Sequence, residues 1–65
     1  MKKNPTYPKY YNVDDIPIII ELEGDEVAGY SGNGQPYPLG KAVIDGHEIS
    51  RAEYLKLRKE LYNLD

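Results

Sequence analysis

The clearest alternation of apolar and polar residues lies between Ile16 and Glu23, and it predicts a β-strand. At period two, one face of this strand would carry Ile16, Ile18, Ile20 and Leu22, and the other Pro17, Ile19, Glu21 and Glu23. Gly24 and Asp25 follow, and they suit a two-residue hairpin loop with glycine at the first central position. Closing the hairpin there predicts three pairs, which are Leu22 with Val27, Ile20 with Gly29, and Ile19 with Tyr30.

The C-terminal quarter carries the signals of a helix start. Ser50 and Glu53 have the spacing of a capping box, and Ile49 and Tyr54 have that of a hydrophobic staple. The pattern predicts a helix from Ser50 to about Tyr62. Its apolar stripe should cover the sheet through Tyr54, Leu57, Leu61 and Leu64.

Two weaker segments complete the expected fold. Lys41 to Ile44 suggests a third short strand, ended by Asp45 and Gly46, and Tyr10 to Val13 suggests an edge strand or the approach to one. We therefore expect an α+β domain over residues 10–65, with a three-stranded antiparallel sheet and one C-terminal helix packed on one face. Residues 1–9 hold two prolines and no periodicity, and we expect them to form a flexible tail.

Composition limits the chemistry available to these 65 residues. The chain has no cysteine and one histidine, His47, which argues against disulfides, thiolate metal sites and multi-histidine sites, so we expect no cofactor. The longest apolar run, from Ile16 to Ile20, is too short to cross a bilayer, and no apolar run of the signal-peptide kind follows the first lysines. The sequence-based expectation is a cytoplasmic protein that binds no membrane.

The net charge of −3 is unevenly distributed. Against the single base Lys41, the segment from residue 14 to residue 48 holds eight acids, Asp14, Asp15, Glu21, Glu23, Asp25, Glu26, Asp45 and Glu48. Such a body argues against nucleic-acid binding, which needs lysine and arginine to neutralise phosphates. It leaves open an acidic inhibitor that mimics nucleic acid, although an acidic surface more commonly serves solubility.

Two surfaces are candidates for contact with a protein partner. The first is a helix flank of two arginines and two apolar side chains, made of Arg51, Leu55, Arg58 and Tyr62. The simpler explanation of this flank is that the arginine stems cover the edge of the core while their charged ends stay in water.

The second candidate is the sheet face expected opposite the helix, with Ile19 and Tyr30. All seven aromatic residues are tyrosines, which suit positions with one apolar and one wet end. If nothing covers this face, it forms an apolar patch of the kind that marks interaction sites. Alternatively, the N-terminal tyrosines fold over it. Tyr37, held between two prolines, is a further contact candidate.

An enzyme is not expected. The only acid–base group in the sequence joins His47 with Asp45 and Glu48 at a turn, and a chain this short leaves little room for a pocket of about 300 Å³ or more. Since there is so little room for a pocket, no small-molecule substrate is expected. Gly34 to Lys41 also fails the spacing of a phosphate-binding loop. The sequence favours a small protein-binding or regulatory module, with the acidic mimic or a homodimer as alternatives.

Overall fold

The computed structural model describes residues 6–63, which form four strands and two helices. In chain order these are β1 (Lys9–Val13), β2 (Ile16–Glu23), β3 (Glu26–Ser31), α1 (Leu39–Asp45), β4 (His47–Ile49) and α2 (Arg51–Tyr62). The strands make one antiparallel sheet in the order β3-β2-β1-β4. The α+β class is therefore confirmed, but the predicted three strands and one helix were wrong in detail. Residues 1–5 of the expected tail and Leu64 lie outside the described residues.

The β2–β3 hairpin has the predicted register. Leu22 lies opposite Val27, and Ile19 lies opposite Tyr30. Gly24 has a φ of +64°, as the first central residue of the expected turn requires.

The β1–β2 hairpin closes through two aspartates. Asp14 and Asp15 both have positive φ, at 51° and 68°, which two-residue hairpin loops of the mirror-image type need and which aspartate tolerates. The Asn12 side-chain oxygen accepts a hydrogen bond from the Asp15 amide at 2.7 Å. β1 pairs with β2 on one side and with β4 on the other, so it lies inside the sheet and is neither the edge strand nor the approach to a strand that the sequence suggested.

Residues 41–44, predicted as a strand, belong to α1. Ala42 is fully buried among Val13, Ile18 and Ile20, so α1 covers the sheet face on which these side chains lie. A helix and a short buried strand cannot be separated by periodicity over four residues, which explains the error.

α2 lies on the opposite face from the one predicted. The rings of Tyr54 and Tyr10 are 4.8 Å apart between centroids, and Tyr10 shares its face with its β2 neighbour Ile19. The predicted cap is present, because the Glu53 amide donates to the Ser50 hydroxyl at 3.1 Å. The predicted apolar stripe is only partly used: Tyr54 is buried, Leu57 is half-buried and Leu61 is 51% exposed.

The C-terminal half of α2 is fixed at Gly32, just beyond β3. The Arg58 Nε atom donates to the Gly32 carbonyl at 2.8 Å. A Cβ atom at Gly32 would come within 3.0 Å of both Pro17 and Tyr62, so the absence of a side chain permits the close approach.

Alanine substitutions at two glycines test the helical assignment of α1. Gly40 lies inside α1 with nothing within 4 Å of a Cβ atom, so Gly40→Ala should stabilise the fold by about 0.5–1 kcal/mol. At Gly46 the Cβ atom would lie 2.6 Å from Val13 and 2.8 Å from the Ala42 carbonyl oxygen, so Gly46→Ala should destabilise it by about 1–3 kcal/mol. Urea unfolding would measure both, and a destabilising Gly40→Ala would contradict a helix at this position.

Candidate functional site

The sheet face under α2 is apolar in the middle and acidic at the hairpin end. One row of paired residues crosses all four strands, from Ile49 through Tyr10 and Ile19 to Tyr30. The next positions of the same face along β2 are Glu21 and then Glu23. The row continues past β3, because Tyr30 also pairs with Pro36 in an isolated bridge.

α2 covers part of this face and leaves an open groove of about 570 Å³ beside it, which we call the α2–β3 groove. The sheet contributes Tyr10, Ile19, Glu21, Glu23 and Tyr30 to its lining, the helix contributes Arg51, Tyr54, Leu55 and Arg58, and the loop after β3 contributes residues 31–34. From the chain length we expected little room for a pocket of ~300 Å³ or more, and the groove is larger than that. It is an open groove, however, and not an enclosed cavity.

The groove brings together the two surfaces that the sequence indicated separately. Arg51, Leu55 and Arg58 of the helix flank line it from one side. Ile19 and Tyr30 of the sheet face line it from the other. The two surfaces were expected apart because the helix was predicted on the opposite side of the sheet.

Two other predicted contact residues lie elsewhere. Tyr62 packs against Gly32 at the C-terminal end of α2, outside the groove lining. Tyr37 packs against the core that α1 covers, and its amide donates to the Gly29 carbonyl at 2.9 Å. Tyr37 and Tyr62 therefore do not line the groove with the other five predicted contact residues, Arg51, Leu55, Arg58, Ile19 and Tyr30.

Opposite charges face the groove from its two sides. Glu21 and Glu23 come from the sheet, and Arg51 and Arg58 come from the helix. Arg51 is exposed and forms no ion pair within residues 6–63. Arg58 is half-buried and contributes to the fold as well, through its bond to Gly32.

Tyr30 and Glu23 form a fixed polar pair on the sheet side. The Tyr30 hydroxyl donates to Glu23 Oε2 at 2.8 Å. This hydrogen bond, with burial and the charges of Glu23 and Glu21, raises the pKa of Tyr30 above its ordinary value of 10.0. The phenol is thus a protonated donor at neutral pH, and it holds the Glu23 carboxylate at the rim of the groove.

Tyr54 is the aromatic residue that α2 contributes to the groove lining. Burial raises the pKa of Tyr54, while the Arg58 guanidinium lowers it and the charge of Glu21 raises it further. Both charged sides of the groove therefore act on this one phenol.

The acid–base residues noted in the sequence do not converge. His47 and Glu48 are adjacent in β4, so their side chains leave opposite faces of the sheet. Asp45 forms an exposed ion pair with Lys41 at 3.6 Å within α1. Among residues 6–63, no three or more histidine, cysteine, aspartate or glutamate side chains are grouped as a metal site would need. Neither helix of the described chain is long and apolar enough to span a membrane.

The hydrogen bond between Tyr30 and Glu23 can be tested by titration. In Glu23→Gln the strongest cause of the raised pKa disappears, so the pKa of Tyr30 should fall towards 10.0. Carbon-13 NMR of the labelled tyrosine rings would follow Tyr30 as pH rises. Glu48→Gln, on the far edge of the sheet, is the control and should leave Tyr30 unchanged; an unchanged pKa in Glu23→Gln would contradict the pair.

Comparison with known proteins gives no relative from which to transfer a function, because no family, curated protein or solved structure matches the chain.

Proposed function

We propose that this chain is a small non-enzymatic protein-binding module whose partner occupies the α2–β3 groove. The observation that carries the proposal is the convergence of Ile19 and Tyr30 with Arg51, Leu55 and Arg58 on one concave surface. Arginine and tyrosine are enriched at the centres of protein interfaces, where an apolar surround excludes water.

The shape and charge of the groove favour a protein over the other classes of ligand. Nucleic acid would bring phosphates against Glu21 and Glu23, and the carboxylates would repel them. The pair of rings at Tyr10 and Tyr54 and the exposed side of Leu55 offer apolar area instead.

A second candidate function is a structural homodimer, and a different surface supports it. The sheet face with Ile19 and Tyr30, which the sequence indicated as an apolar patch if left uncovered, is partly covered by α2. The most exposed apolar side chains now lie on α1, where Ile44 is 82% exposed and Val43 is 55% exposed. Adjacent exposed aliphatic side chains of this kind can mark a self-association surface.

Substitutions at two leucines of α2 test the binding role of the groove. Leu55 is 38% exposed and lines the groove, whereas Leu61 is 51% exposed and lies outside it. Immobilised chain would be used to capture proteins from cells that encode it, with bound proteins quantified by mass spectrometry. The captured amount of a protein that binds the groove should fall at least tenfold with Leu55→Lys and should be unchanged with Leu61→Lys. Equal loss in both variants, or in neither, would contradict the proposal.

Light scattering behind size exclusion decides the homodimer. A homodimer through α1 should have twice the chain mass of 7.4 kDa and return to 7.4 kDa in Ile44→Asp. Leu61→Asp is the matched control and should stay dimeric. A mass of 7.4 kDa for the unaltered chain up to millimolar concentration would exclude this second candidate.

A further inference from the structure

The two charged sides of the α2–β3 groove set a condition on its occupant. Arg51 forms no ion pair within residues 6–63, and the Glu21 side chain makes no hydrogen bond or ion pair there. An occupant that displaces water from these groups must supply partners for them, because desolvating an unpaired charge is costly. An occupant with charges of one sign would pair with the opposite charges on one side of the groove and be repelled by the like charges on the other side.

Glu23 adds a second acceptor beside Glu21 on the sheet side. One of its oxygens accepts from the Tyr30 hydroxyl at 2.8 Å, and a carboxylate has further lone pairs for another donor. Because the Tyr30 hydroxyl already orders this carboxylate, Glu23 would lose less conformational entropy on pairing with a partner cation than a free surface glutamate would. The sheet side is therefore suited to a lysine or arginine side chain.

Apolar side chains line the groove beside the charged ones. Ile19 lies in the sheet between Tyr10 and Tyr30, and Leu55 faces the groove from the helix between Arg51 and Arg58. Ile19 and Leu55 provide contact area for one aliphatic or aromatic side chain. The helix side then offers Arg51 to a carboxylate.

We infer that the α2–β3 groove binds a linear peptide segment in which an apolar side chain lies between a basic side chain, paired with Glu21 and Glu23, and an acidic side chain, paired with Arg51. This inference rests on the proposed function, since it names the chemistry of the partner at the same groove. The groove volume of about 570 Å³ lies within the range of ~300–1,000 Å³ that ligand-binding pockets usually have.

Selection from a random twelve-residue peptide library displayed on phage tests the inference. The folded chain serves as bait, and the Leu55→Lys variant removes peptides that bind elsewhere. The selected peptides should share a basic and an acidic position on either side of an apolar one. As synthetic peptides they should bind at least tenfold more weakly to Arg51→Glu and to Glu21→Lys. Lys56→Glu and Glu60→Lys, on exposed positions of α2 outside the groove, should bind them like the unaltered chain.

Reselection on the Arg51→Glu variant gives a sharper result. The acidic position of the peptides should be replaced by a basic one, because the charge that it pairs with has been reversed. Peptides that depend on Leu55 but carry charges of one sign, or none, would overturn the inference and leave the proposed function standing. A library that yields no peptide dependent on Leu55 would overturn both.

Discussion

The architecture follows from one constraint, which is that the central strand β2 is apolar on both faces. Ile18 and Ile20 point to one side of the sheet, and Ile19 and Pro17 point to the other. A sheet that is apolar on one face only can leave its other face in water. β2 has apolar side chains on both faces, so neither of its faces can be left in water. Both faces therefore need cover, and the two helices supply it, α1 over Ile18 and α2 over the row that contains Ile19.

The cover on the second face is incomplete, and this gives the molecule its groove. α2 rests on β1 through Tyr54 and is held near the end of β3 through Arg58 and Tyr62. Ile19 and Tyr30 remain accessible from the groove beside the helix. Two of the three residues that position α2, Tyr54 and Arg58, also line the candidate binding surface, so folding and binding share them.

Local signals in the sequence predicted the parts of the fold that are decided locally. The Ser50 cap, the β2–β3 turn at Gly24 and the register of that hairpin need only neighbouring residues, and all three are confirmed. Which face of the sheet α2 packs on depends on contacts between residues far apart in the sequence. The sequence indicated a stripe of Tyr54, Leu57, Leu61 and Leu64, whereas α2 packs on the sheet through Tyr54, Arg58 and Tyr62. Ile19, within the apolar run of β2, was the signal that a second face needed cover. The groove depends on non-local packing in the same way. Several of its residues were identified from the sequence, but the sequence did not show that they lie together.

The most direct test of this account is the face of the sheet on which α2 lies, measured by nuclear Overhauser effects in the chain with isotope-labelled isoleucine and tyrosine. With α2 on the Ile19 face, the Tyr54 ring should show contacts to the Tyr10 ring and none to the methyl groups of Ile18 or Ile20. Strong contacts between Tyr54 and those methyl groups would place α2 on the other face and remove the groove with it.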